Sequence, residues 1–224
     1  MLEALLVFAS GNHSKTSQEY IQDLRASDSL MVSQAKEYLY ETENDTSIVP
    51  ALLTALDDTN IAIRSNAALI LAKRHISDAI PGIITLLKDS SEHVRRCAAE
   101  AFAYLPDSQA IPFLIESLKD NSEWVRARSA YALGKIQDKK VMLDLLKSLE
   151  DSSWIVRRAV IWALKNIGNK AIIPKIKYIS ENDPYFEEID ASLRGGKKGE
   201  KITIYPVREA ATEVLKKLES KYKK

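Results

Sequence analysis

Arginine recurs at positions 64, 95, 126 and 157, 31 residues apart each time, and every copy follows a β-branched residue: Ile63, Val94, Val125 and Val156. Asp58, Asp89, Asp120 and Asp151 keep the same step, each six residues before its arginine. Pro50, Pro81, Pro112 and Pro174 form a third ladder, interrupted only by Leu143. Three residue types holding one phase over four units constrain the chain to a stack of supersecondary units, because a unit of this size buries its apolar face only against its neighbours.

One unit is legible from Ile111 to Gln137, IPFLIESLKDNSEWVRARSAYALGKIQ. A proline opens the first helix, where its missing N–H goes unneeded and its fixed φ suits the turn. A polar turn follows, then a longer helix whose Val125, Ser129, Ala132, Leu133 and Ile136 share one face. Small residues at Ala67, Ala98 and Ala132 allow neighbouring helices to approach closely. The predicted class is therefore an all-α solenoid of about five to six helical hairpins. Four regular units span 48–78, 79–108, 109–138 and 139–169. A degenerate unit precedes them, with Ser17 as cap of a first helix, a second helix over 28–41 and Ser33 in the arginine position. Residues 1–47 thus read as an N-terminal cap plus a degenerate repeat, and 170–224 as a last repeat. In that last repeat the arginine is expected at 188 but Val207-Arg208 carries the motif, so an insert falls within 184–205. The insert holds the basic run Arg194 to Lys201 and then Ile202 to Tyr205, read as a mobile loop and a short extended segment. The final helix is expected from Val207 to about Lys221.

The segments DSSEHVRRCAAEAFAYL, DNSEWVRARSAYALGKI and DSSWIVRRAVIWALKNI resemble HEAT repeats, and most closely the short HEAT-like class named after the phycobilisome lyases. They present that class's Asp, Val-Arg and Ala positions, with its Leu-Gly pair kept at Leu133-Gly134. The resemblance covers 48–169 well and the flanking units more loosely. It implies one HEAT-like repeat domain over 1–224, a right-handed superhelix with the second helices lining its concave face, and use as a protein-binding scaffold. It also suggests a second function, as a bilin lyase subunit or related chromophore-handling factor. A third, nucleic-acid binding, comes from a HEAT-like DNA glycosylase family that uses concave tryptophans and an aspartate. That family's catalytic aspartate maps onto no position here.

Two sets of residues are site candidates. The ladder Asp58, Arg64, Asp89, Arg95, Asp120, Arg126, Asp151 and Arg157 is read as structural, its charge-assisted bonds running within or between units. Trp124, Arg128, Tyr131 and Lys135 lie at i, i+4, i+7 and i+11, a stripe beside the buried face. Tyr104 and Trp162 fall in phase with that stripe, whereas Trp154 and Arg158 fall one residue out. Aromatic residues with arginine on one surface have the composition of a protein-binding hot spot, with packing between repeats as the competing use of the tryptophans. Lysine and arginine outnumber acids on the second helices, favouring a partner with an acidic surface. The net charge of +1 disfavours nucleic acid and gives no general attraction to an anionic membrane.

Catalysis and cofactors are not expected. His13, His75 and His93 form no HExxH motif, and none is followed by glutamate as in the iron-binding His-Glu pairs of the HEAT-like deoxyhypusine hydroxylases, so no metal site is predicted. The run RGGKKGEK lacks the spacing of a phosphate-cradling loop. Cys97, beside Arg95 and Arg96, reads as a packed thiol rather than a nucleophile. A lone cysteine suits a reducing compartment, and the N-terminal apolar run Ala4 to Ala9 follows Glu3 where a secretory signal would carry a cation. It is read as a docked helix or end cap. No apolar stretch reaches membrane-spanning length, so a cytoplasmic location is expected and the sequons at Asn12 and Asn44 are expected to carry no sugar.

Overall fold

The computed structural model describes residues 15–26, 29–42, 47–195 and 197–222. The expectations for the apolar run Ala4 to Ala9 and for the sequons at Asn12 and Asn44 lie outside the described residues. Helices occur in pairs: α1 (Ser17–Asp23) with α2 (Ser29–Glu41), α3 (Ile48–Ala55) with α4 (Ile61–Lys73), α5 (Ile80–Leu86) with α6 (Glu92–Tyr104), α7 (Ile111–Ser117) with α8 (Glu123–Ile136), α9 (Met142–Lys147) with α10 (Trp154–Ile167), and α11 (Ile173–Asn182) with α12 (Pro206–Tyr222). The even-numbered helices pack on one another in sequence order, and each odd-numbered helix packs on its own partner. The architecture is an all-α solenoid.

Local chemistry explains the boundaries. In each regular turn the aspartate side chain accepts the amide two residues on, as Asp89 does from Ser91, Asp120 from Ser122 and Asp151 from Ser153, at 2.8–2.9 Å. This closes a tight turn and leads the chain into the second helix. Pro81, Pro112 and Pro174 sit in the first turns of α5, α7 and α11. At the first unit, Thr16 rather than Ser17 is the cap. Its hydroxyl accepts from the Glu19 amide while the Glu19 carboxylate accepts from the Thr16 amide. Glutamate three residues after the cap favours Thr16, because it satisfies two helix-end donors at once. Ser17 is instead buried inside the helix, 3.0 Å from the Ser47 hydroxyl.

The core runs the length of the stack. Ile63, Val94, Val125 and Val156, the residues before the ladder arginines, are all fully buried, as are Ala67, Ala98 and Ala132. Between α8 and α10 the approach is closest at Gly134, where an added Cβ would lie 2.5 Å from the Ala163 Cα. Only glycine fits there without displacing backbone.

The insert contains β structure that helical periodicity could not reveal. Strand β1 (Glu187–Asp190) pairs antiparallel with β2 (Lys201–Ile204), with Ile189 opposite Ile202. The expected extended segment at 202–205 is thus one arm of a hairpin. Its connection begins with a 3-10 turn over Ala191–Arg194 and uses positive φ at Gly195 and Gly199, +80° and +85°. The side chains of Arg194 and Glu209 meet at 2.8 Å, tying this connection to the start of α12.

Candidate partner-binding face

The aspartate–arginine ladder forms clasps between units. The Arg64 guanidinium donates through Nε and Nη2 to both carboxylate oxygens of Asp89, at 2.8 and 3.0 Å, while Nη1 reaches the carbonyls of Asp58 and Thr59. Arg95 repeats this with Asp120, and Arg126 with Asp151. The side-chain partner is therefore always the next unit's aspartate, whereas the arginine's own turn is held by its backbone. Burial pushes the carboxyls of Asp89, Asp120 and Asp151 upward, but the arginine hydrogen bond, the serine amide and the guanidinium charge outweigh it and leave all three below the ordinary carboxylate value.

At the ends of the ladder, sequence phase missed two members. Arg157 holds Asp183, one residue beyond the 31-residue register, at 2.6 and 3.0 Å. Asp58 is met by Arg25, from the turn after α1, with two bonds of 3.0 Å. Arg208 completes the pattern by donating to the Asp183 carbonyl. A second inter-unit bond also escaped notice. The Ser122 hydroxyl donates to the Glu92 carboxylate at 2.6 Å, and Ser153 does the same to Glu123. The repetition of Ser before the second helix and Glu at its first position was the available signal.

The stripe lies on the even-numbered helices. Trp124 is 47% exposed and Tyr104 and Tyr131 are each 39% exposed, high values for large rings on a packed helix. Arg128 faces Glu100 of α6 at 3.4 Å, and Lys135 lies over the Tyr131 ring at 5.4 Å. On α10, Trp162 is half-buried beneath the Lys165 ammonium, 4.4 Å away. Tyr131, Gly134 and Lys135 of α8 and Trp162, Ala163 and Lys165 of α10 line an open groove of about 360 Å³. Arg158 is exposed and carries no ion pair among the described residues.

Trp154 does not join this group. Its ring stacks on Tyr185 at the start of the insert, 4.5 Å between centroids and 11° between planes, so one ring face is taken by the chain itself. The Tyr185 hydroxyl bonds the Glu187 carboxylate, and that bond pushes its pKa up to about 12. Trp154 therefore anchors the insert.

The Cys97 thiol is only 4% exposed, and burial pushes its pKa up against the opposing charge of Arg96. His93 lies 3.7 Å from its sulfur and is itself held low by burial, then by Arg96 and Lys36. Among the described residues no group of three or more histidine, cysteine, aspartate and glutamate side chains is placed to hold a metal ion. No helix among them is long and apolar enough to cross a membrane.

A family model described as HEAT repeats matches residues 49–133 and 111–193. No curated protein matches the chain. Among solved structures, the complex of CpcE and CpcF of phycocyanin lyase from Nostoc sp. PCC7120 is similar at 23% identity and a TM-score of 0.58, covering 78% of this chain and 74% of that one. An engineered protein is similar at 19% identity and 0.59, covering 92% and 98%. A designed armadillo repeat protein in complex with the peptide (KR)4 is similar at 18% identity and 0.58, covering 90% and 100%.

Proposed function

The chain belongs to the HEAT-repeat family, and on that premise we propose that it is a non-catalytic scaffold that binds another protein through the even-numbered helices of its middle units. The observation that carries this reading is the exposed aromatic row Tyr104, Trp124 and Tyr131, continued by Trp162 at a groove of about 360 Å³. Large rings held on packed helices lose little freedom on binding, so their contact area converts efficiently into affinity. The ladder leaves little for chemistry, since its charged groups are consumed in holding the stack. Solenoids of this architecture that hold a partner subunit or a peptide support a protein ligand in general terms.

Affinity capture from nuclease-treated native lysate tests the reading, with wild type compared against Trp124→Ala/Arg128→Ala/Trp162→Ala after circular dichroism shows both folded. The expected result is a protein held by wild type and lost by the variant, with single alanines at true hot spots costing about 2 kcal/mol or more, roughly thirtyfold in Kd. Unchanged affinity on separate alanine substitution of Trp124, Arg128, Tyr131, Arg158 and Trp162 would overturn it. A second reading, handling of a bilin chromophore, draws support from the likeness to CpcE and CpcF. It predicts an absorbance change when the protein is mixed with bilin and an apo-phycobiliprotein.

A further inference from the structure

Lysines and aromatic rings alternate along the C-terminal ends of five successive even-numbered helices. Lys73 of α4 lies between the rings of Tyr40 on α2 and Tyr104 on α6, 4.9 and 5.1 Å from their centroids. Lys135 covers Tyr131 on α8, and Lys165 covers Trp162 on α10. Lys73 and Lys135 are exposed, and neither meets a carboxylate among the described residues. The nearby acid Glu100 is directed to Arg128, and Lys165 is neutralised by Glu213 at 2.6 Å.

From this track, and resting on the scaffold reading, we infer that the partner presents an extended acidic peptide, with two carboxylates meeting Lys73 and Lys135 and an apolar side chain entering the groove between Tyr131 and Trp162. Charge complementarity selects the occupant. An anion approaches a ring-supported ammonium without displacing it, and the ring disperses little of its charge. A nucleic-acid base would have to displace the ammonium to stack on that face of the ring, and two unpaired lysines are few for a phosphate backbone. Spacing follows from geometry. Packed helices stand about 8–10 Å apart, and an extended chain advances about 3.3 Å per residue. Lys73 and Lys135 are two helix steps apart, which sets the carboxylates about six residues apart, with the apolar residue about two further on, because Lys135 itself lines the groove.

The probes are fluorescein-labelled peptides of about twelve residues with glutamates about six apart. Leucine stands about two residues beyond the second glutamate in one and before the first in the other, so both chain directions are offered. Lysine-for-glutamate versions and a single-stranded dT oligonucleotide of similar length serve as controls. Fluorescence anisotropy should show a glutamate peptide binding the full chain, at least about tenfold weaker binding to Lys73→Met/Lys135→Met, and no binding of the lysine peptides. Trp162→Ala should remove the preference for leucine over alanine at the groove position. Binding of neither glutamate peptide, indifference to the lysine substitutions, or preference for the oligonucleotide would overturn the inference. A native partner lost by the Trp124/Arg128/Trp162 variant but retained by Lys73→Met/Lys135→Met would leave the scaffold standing and remove only the acidic track.

Discussion

A single guanidinium in each regular unit closes its own turn through backbone carbonyls and grips the next unit through a carboxylate. Removing one side of such a part-buried pair strands the other without its partner. Asp120→Asn should therefore cost about 2–4 kcal/mol of stability, measurable by chemical denaturation, and more than the same change at Asp138, whose side chain accepts the Lys140 amide but has no guanidinium partner among the described residues. The lowered carboxyls also set a pH response. Because Asp89, Asp120 and Asp151 have folded pKa values below the ordinary value, their contribution is full above the unfolded value of about 4 and disappears as pH falls through the folded values. Thermal melting from pH 6 downward should hold steady and then fall below about pH 4, with a shallower acid limb in Asp120→Asn. Gly134→Ala should destabilise by about 1–3 kcal/mol, since its Cβ meets the Ala163 backbone.

Among the elements, the insert is the one that departs from the repeat. It is held at its start by the Trp154–Tyr185 stack and at the connection between its strands by Arg194 with Glu209. Trp154→Ala should speed amide exchange in β1 and β2 while leaving α6 and α8 protected, which hydrogen exchange by mass spectrometry can resolve. The helices were legible because a solenoid repeats its apolar spacing, and the clasp repeats because its bond lengths demand a fixed turn. Of the hairpin only the arm near 202–205 was legible, since its partner Glu187–Asp190 is four residues long and carries three acidic side chains, a composition that does not mark a strand. Asp183 escaped because it stands one residue out of phase, and Arg25 because it comes from a different part of its unit. On the face, the stripe Trp124, Arg128, Tyr131 and Lys135 followed from helical spacing, while the fate of Trp154 depended on Tyr185, which stands one 31-residue period further on but opens the insert instead of a second helix.

At the scale of the whole molecule, polar clasps and an apolar spine run in parallel along the stack, and the lysine–aromatic face accompanies them from α2 to α10. An acidic ligand on that face should show affinity that falls with salt by a modest slope, set by two or three lysines rather than by the many contacts of a nucleic-acid binder. Titration between about 50 and 200 mM salt would measure it. The backbone clasp that closes the last unit has a further consequence. In the regular units it joins residues six apart, as Arg157 to the Asp151 carbonyl, but Arg208 reaches the Asp183 carbonyl across 25. Each doubling of a loop adds about 0.6 kcal/mol of closure entropy, so this closure carries a penalty of roughly 1 kcal/mol that the regular units escape. The stack thus has a built-in direction of fraying: α12 detaches ahead of the regular units, like the loose end of a zip, while α4 to α10 stay engaged.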